Sequence, residues 1–139
     1  MKQSQSEIVV ATKGQGLYEI TDRAKAFVRE TGIANGLFTI FCRHTSASLI
    51  IQENADPDVQ NDLKAFFKRL VPEGDPLYVH TAEGADDMPA HVKAALTQTS
   101  LVFPVSEGRA VLGSWQGIYL FEHRDHPHQR HIVLHIIGE

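Results

Sequence analysis

Two stretches of this sequence concentrate residues that could do chemistry. Arg43 to Asp62, RHTSASLIIQENADPDVQND, opens with His44 and the hydroxyls of Thr45, Ser46 and Ser48. It then runs through Leu49, Ile50 and Ile51 to a polar cluster of Glu53, Asn54 and Asp56. The second stretch, YVHTAEGADDMPAHVK, carries His80, Glu83, Asp87, His91 and Lys93. Three histidines beside carboxylates match the ligand chemistry of a catalytic Zn²⁺, which takes three protein ligands and a water. His44, His80 and His91 are therefore the candidate metal ligands. Hydroxyls with Lys93 and Arg43 would equally suit a phosphate or pyrophosphate, with Asp56, Asp62 or Asp87 available to hold Mg²⁺.

The spacing narrows these options only partly. There is no HExxH, no CxxC and no P-loop, so the common zinc-protease and nucleotide-triphosphate motifs are absent. A Ser46–His44 nucleophile pair lacks the strained Gly-x-Ser-x-Gly turn that exposes such a serine. Five of the eight histidines crowd between His123 and His135. His131 and His135 are four strand positions apart, roughly 13 Å, too far to share one ion. His126 and His128 flank Pro127 in a loop. Plain structural roles stay open for several candidates: Asn54 and Asp56 as turn or cap residues, His44 as a core histidine, His91 and Lys93 as ordinary helix residues.

The elements that must carry these groups follow from periodicity. Glu7 to Thr12 reads as a strand, Lys13 to Gly16 as a turn, and Leu17 to Ile20 as a continuing strand. Thr21 is placed to cap a helix over Asp22 to Glu30, with Gly32 just past its end. Leu37 to His44 alternates so that Phe38, Ile40, Cys42 and His44 share one face, expected to be the buried one. Ser48 to Glu53 is a further strand, apolar on both faces at its centre. Asp56-Pro57 opens a helix whose apolar stripe is Val59, Leu63, Phe66, Phe67 and Leu70. Leu77 to His80 reads as a short strand with Tyr78 and His80 on one face, and Pro89 begins a short helix. Strands follow over Ser100 to Val105, Ala110 to Gly113, Ile118 to His123 and His131 to Ile137, with a hairpin turn at Glu107-Gly108. Glu122 shares a face with Ile118 and Leu120, which calls for a partner or a pocket. The fold class is α+β, a mainly antiparallel sheet or sandwich with about three helices.

A chain of 139 residues makes a single domain, spanning 1–139, that can stand on its own core without disulfides. Its lone cysteine, Cys42, sits in an apolar run and reads as a small buried hydrophobe. The formal charge of −4 gives no support to a general nucleic-acid surface. No apolar run reaches the roughly 18 residues that a membrane span needs. No signal-peptide pattern opens the sequence, so a cytoplasmic protein with neither nucleic-acid nor membrane partners is expected.

The segments HTSASLIIQENADPDVQNDL, DMPAHVKAAL and SLVFPVSEGRAVLGSWQGIYLFEHR, in that order, resemble the YjbQ-like family, also called the secondary thiamine-phosphate synthase family. GSWQGIYLFE is the most distinctive, although the family's usual Thr is Ser114 here. The resemblance implies a compact β-rich α+β fold, a homotrimer with pockets near subunit contacts, and a thiamine-phosphate synthase activity. That reaction joins hydroxymethylpyrimidine pyrophosphate to thiazole phosphate and releases pyrophosphate. It also implies recurring polar positions at His44, Thr45, Ser46, Asn54, Asp56, Asp62, His80, Asp87, His91, Lys93, Trp115, Gln116 and Glu122. Taken together, His44, Asp87, His91, Lys93 and Glu122 are the candidate catalytic residues. Thr45, Ser46, Asn54, Asp56, Trp115 and Gln116 are the candidates for binding a small phosphorylated metabolite. A divalent metal, Mg²⁺ or Zn²⁺, is the expected cofactor. A metal-dependent hydrolase and a non-catalytic metabolite-binding module are the alternatives.

Overall fold

The structure, a computed structural model, describes residues 1–139. Eight strands and three helices are present: β1 (Lys2–Thr12), β2 (Gly16–Glu19), α1 (Thr21–Thr31), β3 (Gly36–Cys42), β4 (Ala47–Glu53), α2 (Pro57–Leu70), α3 (Asp87–Leu96), β5 (Ser100–Ser106), β6 (Arg109–Ala110), β7 (Gln116–Glu122) and β8 (His128–Gly138). They form two antiparallel sheets, one ordered β1-β8-β3-β5-β6 and the other β2-β7-β4. The α+β class read from the sequence is the observed one.

The core lies between the sheets because period-two alternation points one apolar set from each inward. Phe38, Ile40 and Cys42 of β3 meet Ile132, Leu134 and Ile136 of β8, and Leu49 of β4 meets Ile118 and Leu120 of β7. Ala24, Phe27 and Val28 of α1 complete the same cluster. Two glycines permit a tight strand exit: Gly36 faces Gly138 in the β3–β8 register, and a Cβ on either would overlap the opposite backbone. At the β5–β6 hairpin, Glu107 and Gly108 both take left-handed φ, 52° and 77°, as a tight hairpin turn requires.

Several local expectations are corrected. Leu77 to His80 is not a strand; the whole of 71–86 is irregular. Leu77 and Val79 stand almost fully exposed, so this run buries no apolar face that would hold it as a strand. Thr21 is the first residue of α1 rather than its cap. Its hydroxyl accepts from the Ile118 amide at 2.9 Å and donates to Glu19 at 2.8 Å, tying the helix start to the small sheet. β3 stops at Cys42, so His44 lies just beyond the strand. Asp56 does cap α2, its carboxylate accepting from the Asp58 amide at 2.9 Å.

The two remaining helices bracket the small sheet. Phe67 of α2 meets Phe121 edge-on at 5.2 Å between ring centres, and Gln60 donates to the Tyr119 hydroxyl. Alongside β4, the end of α3 is tied by Thr97, whose hydroxyl lies 2.5 Å from that of Ser48. No residue of α2 is buried, and no helix is long and apolar enough to cross a membrane.

Candidate functional site

Asp87, His91 and His80 converge where α3 begins. Asp87 is the first residue of the helix, where a carboxylate is favoured by the helix dipole. His91 is four residues on and therefore on the same face. His80 arrives from the irregular segment before the helix. Its Nε2 lies 2.6 Å from Asp87 Oδ2, and His91 Nε2 lies 3.2 Å from the same oxygen. One potential ligand atom from each residue falls within 4.8 Å of the others. Glu83 stands behind, 4.0 Å from His80.

Arg124, two residues past the end of β7, locks this geometry. Its guanidinium donates from Nε to Asp86 Oδ2 at 2.8 Å, from Nη1 to Asp87 Oδ1 at 2.7 Å, and from Nη2 to the Glu83 carbonyl at 3.0 Å. One planar fork thus fixes both aspartates and the loop that presents His80. Asp87 is almost wholly buried. Burial works to raise its carboxyl, but the hydrogen bond with His80 and the charges of Arg124 and His91 outweigh that and hold it below the usual range. The Asp87 carboxylate is consequently an anion wedged between two imidazoles.

Proton accounting at His91 is informative. Its Nδ1 lies 2.9 Å from the Thr45 carbonyl, and a carbonyl can only accept, so Nδ1 carries the proton. In a neutral ring Nε2 is then a bare lone pair aimed at the Asp87 carboxylate, which is repulsive. The arrangement is at ease only if a cation stands between them or the ring is doubly protonated. A backbone carbonyl fixing the tautomer while the other nitrogen faces a carboxylate is how metal-binding histidines are oriented. The donor set, two imidazoles and a carboxylate, fits Zn²⁺ and related divalent ions.

The other candidates distribute as follows. His44 does not join this trio; Asp87 takes its place. His44 is turned to β8, where its Nε2 accepts from the His131 amide at 2.7 Å and its ring stacks on His131. Burial, then the nearby Arg130 charge, lowers its pKa and keeps it neutral. Thr45 contributes its carbonyl, as just described. Ser46 is buried and accepts from Arg130 at 3.0 Å.

Glu122 is fully buried and faces no solvent. Its oxygens accept from Thr12 at 2.6 Å, from both Arg130 Nε at 2.7 Å and Nη2, and from the amides of His123 and Arg124. The partner that its position demanded is thus Arg130, and the pair is part of the interior. Lys93 is also buried but opens to a different cavity, donating to Gln15 at 3.1 Å.

Asn54, Asp56, Trp115 and Gln116 lie together at the far end of the small sheet. The Asn54 amide donates to the Trp115 carbonyl at 3.1 Å, and Gln116 Oε1 accepts from the Gly113 amide at 2.7 Å. In the β4–β7 register Ala47 faces Glu122 at one end and Glu53 faces Gln116 at the other. Those six steps span roughly 20 Å, so within one chain this group does not reach the imidazole cluster. Asp62 is exposed on α2.

A family model described as "UPF0047 protein YjbQ-like" matches residues 6–139. The chain belongs to the YjbQ-like family. It is 53% identical over 138 residues to a UPF0047 protein of Synechocystis sp., covering 99% of this chain and 94% of that one. With YjbQ of Escherichia coli O157:H7 it shares 43% identity over 136 residues, covering 97% and 98%. Among solved structures, a protein of unknown function from Sulfolobus solfataricus P2 superposes with a TM-score of 0.92 at 32% identity, covering 99% of both chains. An uncharacterised YjbQ/UPF0047 protein from Clostridium acetobutylicum gives 0.85 at 36%, covering 95% of this chain and 99% of that one.

Arg124, Asp86 and Arg130 were not singled out by sequence reasoning. Their signal was weak but present: Arg124 and Arg130 bracket the histidine-bearing turn that follows the out-of-place Glu122. An acidic residue on an apolar face requires a cation, and the nearest in sequence are these two.

Proposed function

We propose that this YjbQ-like chain is a small enzyme acting on a phosphorylated metabolite, with a divalent metal held by His80, Asp87 and His91. The observation that carries the reading is His91, whose Nδ1 is committed to the Thr45 carbonyl while Nε2 faces the Asp87 carboxylate. A bound divalent ion would offset the charge of a phosphate or pyrophosphate and acidify a bound water. The chain's own groups do the positioning: Arg124 holds Asp87 from behind, Thr45 sets the His91 tautomer, and Glu83 is at hand to move a proton near His80. The specific reaction favoured by the sequence resemblance is the joining of hydroxymethylpyrimidine pyrophosphate to thiazole phosphate with loss of pyrophosphate. Metal-dependent hydrolysis of a phosphate ester is the second reading, favoured by the two-histidine, one-carboxylate donor set.

The same proposal places the protein in the cytoplasm as a homotrimer. Support for assembly comes from the outer face of the large sheet, where Leu37, Phe41 and Val102 are each about half exposed on adjacent strands. Light scattering should give three times the 15.5 kDa chain mass.

Two measurements test the activity. Tag-free protein should carry a stoichiometric divalent metal that His80→Ala and Asp87→Asn lose. Supplied with both thiamine precursors and metal, it should form thiamine phosphate, and His91→Ala should not. Stoichiometric metal with no transfer, but with phosphate release from ester substrates, selects the hydrolase. Protein that binds no metal under any condition removes both.

A further inference from the structure

Beneath the imidazole cluster lies a second polar feature that the reading above does not use. A cavity of about 610 Å³ opens between α2 and the last turn of α3. Lys64, Lys68 and Lys93 line it, with Gln15, Glu73 and Asp125. None of His80, Asp87 or His91 does. The wall between the two sites is the pairing of Arg124 with Asp86 and Asp87, continued by the Asp125 amide donating to Asp86 at 2.9 Å.

Lys93 is the decisive residue. It is 4% exposed, a level at which lysine is rarely found without a paired carboxylate. Yet no carboxylate oxygen lies within 4.0 Å of its ammonium, nor of Lys64 or Lys68, since none of the chain's ion pairs involves them. Its one protein acceptor is Gln15 Oε1, leaving donor capacity for two further bonds.

Gln15 itself is fixed from the other side. Its Nε2 donates to Asp125 Oδ1 at 2.6 Å, so the amide cannot flip and its oxygen must face Lys93. Behind Lys93, His123 is buried and neutral, its pKa pushed down to about 3 by burial and by the Lys93 charge. His123 therefore supplies no counter-charge. Burial, the largest effect, leaves the ammonium easier to deprotonate than usual; Asp125, Glu73 and the buried Asp86 act against this, all beyond 4.0 Å, and Lys68 adds to it.

We propose that this cavity is an anion site that takes a phosphoryl or pyrophosphoryl group on Lys64, Lys68 and Lys93, with Gln15 as the residue that positions Lys93. A buried cation with open donors stays poised only if something negative completes it. The volume also leaves room for the organic part of a phosphorylated metabolite beside the phosphate. A second basic cavity, beside Lys25, Arg29 and Arg109, differs in having no buried cation. The site shares no lining residue with the imidazole cluster, so it stands whether or not that cluster binds metal.

The test uses the full chain stripped of metal with EDTA and titrated calorimetrically with inorganic pyrophosphate, then phosphate, at fixed ionic strength. Saturable binding is expected, weakened about tenfold or more by Lys64→Gln with Lys68→Gln, both exposed and tolerant of change. Lys93→Met should abolish it, and Arg29→Gln and His80→Ala should leave it intact. Gln15→Leu should weaken binding while adding salt sensitivity, because the remaining attraction is then less directed. Failure to bind either anion, or binding that survives the double lysine variant, overturns the proposal. Loss in Arg29→Gln instead would move the site to the other cavity and overturn it equally. Loss in His80→Ala under EDTA would assign the anion to the imidazole cluster, with the same result.

Discussion

Replacing Glu122 by Gln separates a structural carboxylate from a catalytic one. Glu122 is fully buried, and Arg130 is 4% exposed. Glutamine keeps the shape but removes the charge that neutralises the guanidinium, and it brings an NH₂ group whose one acceptor among Thr12, Arg130 and two backbone amides is the Thr12 hydroxyl, turned to donate to the His128 carbonyl instead. Breaking one half of a buried pair costs about 3–5 kcal/mol, because the other charge is left uncompensated. For a chain of this size that corresponds to a melting-temperature loss of roughly 10–20 °C. Differential scanning calorimetry at one fixed protein concentration measures it, since assembly would otherwise shift the midpoint. The double variant Glu122→Gln, Arg130→Met should recover a good part of the loss, as removing both charges is often near neutral. A pH series adds an independent arm. Burial would raise the Glu122 carboxyl, but hydrogen bonds from Arg130 and Thr12 and the Arg130 charge hold it below 4.5. The folded value is below the unfolded one, so this stabilisation is whole above pH 4.5 and is lost as pH falls through the lower, folded value. A wild-type protein no more stable than Glu122→Gln at pH 7, or a double variant no better than the single, would refute the structural reading.

Three further outcomes follow from other residues. Asp56→Ala should cost about 1 kcal/mol in urea denaturation by removing the α2 cap, without affecting metal binding some 20 Å away; a loss of metal would contradict the placement. Arg124→Met should raise the Asp87 pKa, seen by carboxyl NMR, and weaken divalent-metal affinity about 10–100-fold as its supporting hydrogen bonds vanish; unchanged affinity would deny Arg124 that role. His123, neutral in the fold with a pKa of about 3, should make the wild type lose stability as pH falls from 6.5 toward that value, because only the unfolded chain then takes up the proton. His123→Phe should reduce that slope between pH 6.5 and 4.5, above the Glu122 window, leaving the part due to His44, whose pKa burial also lowers; an unchanged slope places its origin elsewhere.

What was legible in the sequence was whatever depends on neighbours along the chain. Strand alternation put Phe38, Ile40 and Cys42 inside, and Asp56-Pro57 announced α2, because both signals are local in period or in capping chemistry. The spacing of Asp87 and His91 was legible for the same reason, being one helical turn. What failed were inferences that needed the third dimension. His44 was carried to the cluster by extending β3 two residues too far, whereas the chain turns after Cys42 so that His44 can meet the His131 amide, eighty-seven positions away in sequence. Tyr78 and His80 suggested a strand because their alternation was right, but a strand also needs an edge to pair with, which periodicity does not reveal.

The deepest omission was Arg124, and it shows why site chemistry is harder to read than fold. The cluster exists only because one guanidinium, thirty-seven residues from Asp87, bonds Asp86, Asp87 and the Glu83 carbonyl at once. Without it, a nearly buried Asp87 would face desolvation with only two imidazoles for compensation. Its carboxyl would then move upward, toward a protonated acid. The same arginine, through the Asp86 it holds, also sets the wall against which Gln15 and Lys93 are arranged. The positions that convert a scatter of histidines and lysines into two defined polar sites are therefore the cations and carboxylates that never face a ligand. A search among ligand-type residues alone passes over them.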